Sequence, residues 1–326
     1  MDTISNILVV VDPTVDRDFV VDRAELIAKA SNASVRFFIN NAESLTEHFY
    51  LYEGINGEFF ETQCKLRAEH FKKILATLVD EFERENITAS YIYTAEHHLA
   101  EAIIKQVVDL KPDLVLKSTH HHSIIKRTLV TNTDWRLIRK CPAALFLVKP
   151  EPWREGGSVV TAVDPLHSKA DQSRLDHYLI DSAELLAKQL DQTACVFHSY
   201  FPFVSTMFSL GVETAEHLER IRQQHSEKLE ELLTDHEIAA GNIQLSRGEL
   251  VPTLIKYLKL VNANVLVIGA LSRNVLERAI VGNTAERILE DCPCDVLVLN
   301  RSSASKRGSC SIESETCVLT NELSMA

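Results

Sequence analysis

Short apolar runs alternate along this chain with segments whose apolar residues recur every three or four positions, and the whole order occurs twice. Ile7–Val11 opens the series as a Val-rich run of the kind that parallel strands buried on both faces require. Phe19–Ala30 follows with Val20, Ala24, Ile27 and Ala28 on one helical face. Val35–Ile39 reads as a second strand, and Leu66, Ile74, Leu75, Leu78, Val79 and Phe82 form the stripe of a long amphipathic helix. Ser90–Tyr93, Leu114–Lys117 and Leu145–Val148 complete five strands, with helices at Ala100–Val108 and Asp134–Lys140 between them. A second set of strands is expected at Val159–Val163, Ala194–His198, Ile243–Leu245, Val265–Ile268 and Val296–Leu299. Strands separated by helices imply right-handed crossovers and a parallel sheet covered on both sides. The predicted fold is α/β, with two tandem doubly wound, Rossmann-like, five-stranded parallel-sheet domains packed as a pseudo-dimer.

The repeat is also literal. Asn6–Pro13 (Asn-Ile-Leu-Val-Val-Val-Asp-Pro) returns as Ser158–Pro165 (Ser-Val-Val-Thr-Ala-Val-Asp-Pro). Val115–Val148 aligns without a gap onto Leu266–Leu299 at a constant offset of 151, keeping Arg127/Arg278, Asn132/Asn283, Thr133/Thr284, Arg136/Arg287 and Cys141/Cys292. A period this long marks a duplicated domain rather than a solenoid unit. The expected domains are residues 1–150 and 158–301, joined by the Pro- and Gly-punctuated linker Glu151–Gly157. That linker is short enough to predict that the domains pack together. Residues 302–326, rich in Ser, Thr and Glu without periodicity, read as a disordered tail.

Composition narrows the function classes. The 326 residues suit two domains, and 45% hydrophobic with 25% charged content is ordinary for a globular protein. A formal net charge of −12 argues against direct binding of nucleic acid or an anionic membrane surface. No apolar run approaches a membrane span, and seven cysteines without framework spacing suit a reducing compartment. The expected location is the cytoplasm.

Candidate chemistry concentrates in the second unit. Open parallel sheets place ligands at the carboxyl ends of strands where the strand order reverses. Asp164 ends the first strand of that unit, where a carboxylate accepts hydrogen bonds from a ribose or adenine group. After the fourth strand comes Gly269, then Ser272, then Gly282-Asn283-Thr284 at a helix start. Glycines there let a phosphate approach the backbone, and the helix N-terminus supplies free N–H groups. These residues resemble the universal stress protein family, whose nucleotide signature is Gly-x2-Gly-x9-Gly-Ser/Thr. The resemblance extends over about residues 4–300 and implies a five-stranded parallel sheet per domain and a role in surviving stress or DNA damage. Gly269 and Gly282 match the signature, while Ser272 replaces its middle glycine and Asn283 stands at the Ser/Thr position. In the first unit Ser118, His121 and Thr131 occupy all three glycine positions, so that site is expected to be dead for ATP.

Structural readings stand beside each of these. Asn283-Thr-Ala-Glu286 has capping-box form, and Asn132 recurs where the glycines are gone, which points to a helix cap. Asp12 and Asp164, each followed by proline, suit the turn leaving the first strand. The run His120-His121-His122, with His97 and His98, reads as a solvated loop and no metal site is assigned, because adjacent side chains do not converge on one ion. Cys292-Pro-Cys294 lacks redox-motif spacing, and with Cys141 it suits helix-end packing. The aromatic connections His48–Phe60 and Tyr200–Val212 suit either a sheet or interface cover or an apolar pocket. The leading expectation is a non-enzymatic stress-response protein that binds other proteins or a small ligand, with homo-oligomers left open and no cofactor certain. An ATP-binding switch or slow ATPase using the second domain is one alternative. A carrier of a small apolar ligand is the other.

Overall fold

A computed structural model describes residues 3–15, 19–41, 57–96, 98–119, 130–166, 170–201, 215–269 and 283–299. Within the first half, strands β1 (Asn6–Val10), β2 (Ser34–Asn40), β3 (Ala89–Thr94), β4 (Leu114–Ser118) and β5 (Ala144–Val148) alternate with helices α1 (Phe19–Ser31), α2 (Gly57–Arg84), α3 (Leu99–Leu110) and α4 (Asn132–Lys140). The second half repeats the order with β6 (Ser158–Ala162), α5 (Ala170–Gln189), β7 (Thr193–Tyr200), α6 (Ala215–Leu233), β8 (Ile243–Arg247), α7 (Leu250–Leu260), β9 (Ala263–Gly269), α8 (Asn283–Asp291) and β10 (Asp295–Leu299). Among the described residues no helix is long and apolar enough to cross a membrane.

The ten strands among the described residues belong to one sheet, ordered β3-β2-β1-β4-β5-β10-β9-β6-β7-β8. Each half is parallel throughout, and the halves meet through the antiparallel pair β5–β10. The pseudo-dimer is therefore joined edge to edge rather than by stacking two sheets. Phe146 pairs Leu297, and these are equivalent positions in the duplication, so the pseudo-twofold axis passes between them. Pairing the two inner edges removes unpaired backbone groups that would otherwise need water.

Alternation along each strand sends successive residues to opposite faces, and both faces are dry. On one face Ile7, Val9, Val159 and Val265 pack under α1, α2 and α5, together with Ala24, Leu75 and Leu179. On the other, Leu8, Val10, Val160 and Leu266 pack under α3, α4, α7 and α8, with Ile103, Leu137, Leu254 and Ile288. Each of these two cores runs through both halves, so the junction is also a hydrophobic one. A smaller cluster of Val163, Ile180, Val196, Leu229, Leu232 and Leu233 seats α6.

Polar groups lock the junction. The buried Asp295 of β10 accepts from Arg23 Nε of α1 at 2.7 Å, from Trp153 Nε1 of the linker at 2.7 Å and from the Lys149 amide at 2.7 Å. Arg23 lies over the Trp153 ring, 4.4 Å from its centroid. A buried carboxylate costs several kcal/mol unless it is paired and hydrogen-bonded, and here both oxygens are satisfied. Asn264 of β9 brackets the linker in the same way, accepting from the Arg154 amide at 2.8 Å and donating to the Arg154 carbonyl at 2.9 Å. Gly157 lies so close to Asn264 that an added Cβ would overlap its amide. The linker is thus tied to the amino ends of β9 and β10.

Candidate functional site

The strand order reverses between β1 and β4 in the first half and between β6 and β9 in the second, which puts the two candidate sites at the carboxyl ends of those pairs. In the first half the position is filled from within. Asp12 Oδ1 accepts from the Thr14 amide at 2.9 Å and its hydroxyl at 2.6 Å, the local turn expected of Asp-Pro. Helix α4 is capped by Thr131: its hydroxyl accepts from the Asp134 amide, while the Thr131 amide donates to Asp134 Oδ2 at 2.8 Å. Asp134 is 0% exposed, and Lys117 Nζ lies 2.8 Å from its other oxygen. An anion belongs at a helix N-terminus. Here the chain supplies its own carboxylate at that N-terminus, with its own lysine as counter-ion. The cap itself differs from the sequence expectation: Thr131 takes the role assigned to Asn132, which is the first residue inside the helix. A threonine one position earlier already has extended backbone, which frees its hydroxyl to reach the third helical amide.

The second half has neither charge of that pair. At the offset of 151, Asp134 and Lys117 correspond to Ala285 and Ile268. At the carboxyl end of β6 stands the half-buried Asp164, whose amide bonds the carboxyl of Asp176 on α5. Asp176 is 5% exposed, and its Oδ2 has no hydrogen-bond partner among the described residues. Burial, helped by the nearby charge of Asp164, pushes its pKa up to about 7 against the pull of the Asp164 amide.

Beside these carboxyls lies a histidine relay. His198 on β7 is buried, and its Nδ1 stands 3.0 Å from the Val163 carbonyl. A carbonyl only accepts, so Nδ1 carries a proton, and whenever the ring is neutral Nε2 is left as acceptor. That nitrogen is 2.8 Å from His225 Nδ1 of α6, which must then be the donor. Burial lowers the His225 pKa, with the neighbouring His198 adding to the effect and Asp164 opposing it. The relay ends at His225 Nε2, an acceptor on a half-buried ring that also packs against Tyr200, 5.0 Å between centroids. The edge therefore offers acceptors, and a ligand suited to it brings hydrogen-bond donors.

Of the residues expected from sequence, the fold brings Asp164 and Gly269 to the carboxyl ends of the second half's switch-point strands, β6 and β9. A Cβ on Gly269 would come to 3.0 Å of the Leu175 side chain, so α5 packs closely over this glycine. Asn283 and Thr284 open α8, and their side chains lie outside the description. Ser272 and Gly282 lie outside the described residues, as do His97, the run at 120–122 and most of both aromatic connections. His98 stands at the start of α3 without capping it through its side chain. Cys141 and Cys292 close α4 and α8 through equivalent amide bonds to Leu137 and Ile288, and both thiols are buried, as helix-end packing requires. Asp176, His198 and His225 escaped sequence reading. The available signal was a histidine in an otherwise apolar strand and an aspartate on the buried face of a helix.

The universal stress protein family model matches residues 3–149 and again 159–300. Universal stress protein E of Escherichia coli (strain K12) is 31% identical over 207 residues, 61% of this chain. The matched stretch spans 64% of that relative's length, less than two thirds of it. Universal stress protein E of Photorhabdus laumondii subsp. laumondii is 26% identical over 299 residues, covering 90% of this chain and 94% of the relative. A solved structure of a functionally unknown protein from Pseudomonas aeruginosa PAO1 has the same fold, with a TM-score of 0.72 at 22% identity over 94% of this chain and 98% of that one.

Proposed function

Because the chain belongs to the universal stress protein family, we propose that it serves the stress response as a non-enzymatic binding protein with one ligand site, at the carboxyl edge of the second half. In this proposal residues 1–150 form a closed domain and residues 158–301 a ligand domain, working in the cytoplasm. The observation that carries it is Asp176, a buried carboxyl next to Asp164 whose Oδ2 has neither a hydrogen bond nor a cation among the described residues, set against Asp134 of the first half, whose Oδ1 also lacks a hydrogen bond but is ion-paired with Lys117. Unsatisfied buried polar groups are rare and cost about 1–3 kcal/mol, so one that persists at a switch point suggests a ligand that satisfies it. A small molecule with hydroxyl or amino donors and an anionic tail fits both the acceptors and the start of α8. An adenosine nucleotide is the first representative to try.

Calorimetric titration with ATP and magnesium is expected to saturate near one equivalent per chain, without release of phosphate. Gly282→Val should abolish that heat by placing a side chain on the phosphate path, and Asp176→Ala should weaken it. Two equivalents per chain, no binding at millimolar ATP, or binding unchanged by Gly282→Val would each overturn the assignment. Steady phosphate release that Gly282→Val removes would replace the binding role with an enzymatic one.

A further inference from the structure

A second polar cluster lies away from the carboxyl edge, between α5 and the turn that follows α6. Asp181 and Glu184 are three residues apart on α5 and so share a helical face. The turn brings His236 onto that face, held by its own amide bond to the Leu233 carbonyl at 3.1 Å and by the Glu237 amide donating to Glu184 Oε1 at 2.8 Å. His236 Nδ1 then lies 3.2 Å from Glu184 Oε2 and 3.4 Å from Asp181 Oδ1. The three ligand atoms all fall within 4.8 Å of one another. The His236 side chain is 3% exposed, while Asp181 and Glu184 are 30% and 24% exposed, so solvent reaches the group from the carboxylate side. On its far side, His236 Nε2 is 2.9 Å from Nδ1 of His177, with the two rings stacked.

We propose that Asp181, Glu184 and His236 form a binding site for a divalent transition-metal ion, with zinc the best fit and a water as fourth ligand. Zinc with ligands at about 2.0–2.1 Å in tetrahedral array separates those ligands by roughly 3.3–3.4 Å. His236 Nδ1 stands at that spacing from both carboxylates. An imidazole nitrogen favours zinc, copper or nickel over magnesium and calcium, which prefer oxygen throughout. Proton accounting agrees. Without an ion, His236 Nδ1 needs a proton to face two carboxylate oxygens. An ion at Nδ1 moves the neutral ring's proton to Nε2, which donates to His177 Nδ1 as the usual outer partner of a metal-bound histidine, while His177 carries its own proton on Nε2. Glu184 keeps Oε1 on the Glu237 amide and offers only Oε2, which fixes its approach. The bound ion clips α5 to the end of α6 and stabilises the second half by mass action.

The test uses the full chain stripped by a chelator and then titrated with zinc chloride, with cobalt chloride as a spectroscopic stand-in. The expected result is a tight site of about one equivalent, not competed by magnesium, that raises the melting temperature. Its cobalt spectrum should be tetrahedral and lack a thiolate charge-transfer band. Glu184→Gln and His236→Gln should each weaken zinc about 100-fold or more, and His177→Phe about 10-fold. Should His236→Gln fail to fold, Glu184→Gln, on the solvent side, carries the comparison. Affinity unchanged in Glu184→Gln, a thiolate band with cobalt, or no saturable zinc binding would overturn the proposal.

Discussion

Two buried aspartates, one in each half, sit in opposite circumstances. Asp134 has a lysine at 2.8 Å and two donors from Thr131, whereas Asp176 has the Asp164 amide on one side and an oxygen without a partner among the described residues. The two halves share fold and ancestry of sequence, so the difference isolates what each half has kept. The carboxylate of the first half is ion-paired with Lys117 and caps its own helix. The carboxyl without a counter-ion, at the switch point of the second half, is the one on which the proposed ligand site rests.

The largest effect expected from breaking this contrast is in the first half. Asp134→Ala leaves Lys117 buried without its counter-ion and removes the capping box, and should cost about 3–5 kcal/mol in urea unfolding. Asp176→Asn should do the reverse. A raised folded-state pKa means the folded chain keeps a proton that the unfolded chain gives up, so parent stability falls as pH rises from about 4 to about 7 and is level above. The asparagine escapes that loss while still accepting the Asp164 amide. It should be more stable than the parent at pH about 8, by at most about 4 kcal/mol, and no more stable at pH about 4. Equal curves at both pH values would place Asp176 in the wrong electrostatic setting. Gly157→Ala, at the junction, should cost about 2 kcal/mol by displacing Asn264 from Arg154, and should lower one shared thermal transition rather than split it in two. The smallest effect sharpens the cap. Thr131→Ala should lose about 1 kcal/mol, and Asn132→Ala less than about 0.5.

These contrasts also show what sequence reading reaches. Strands such as Ile7–Val11 and Val265–Ile268 were legible because burial on both faces demands unbroken apolar runs, and the duplication was legible as repeated residues. The edge-to-edge join was not, because nothing in Leu145–Val148 or Val296–Leu299 names its neighbour; that choice rests on Asp295, Arg23 and Trp153, which meet only after folding. The places of Asp164 and Gly269 at the carboxyl ends of strands were legible, because each closes an apolar run. Asp176, His198 and His225 were not, because they come from α5, β7 and α6 and converge through packing alone. The same holds for His236, which lies 52 residues beyond Glu184. The cap moved from Asn132 to Thr131 because a helix boundary shifted by one residue exchanges the residue with extended backbone for one inside the first turn.

The inequivalence of the halves is tested most directly by following the carboxyl carbon of Asp176 by NMR through a pH titration, with Asp176→Asn to assign the resonance. The account predicts a midpoint of about 7. A midpoint near the ordinary aspartate value of about 3.9 would contradict it, because the ionised Asp176 would then be as well stabilised in the fold as it is in water.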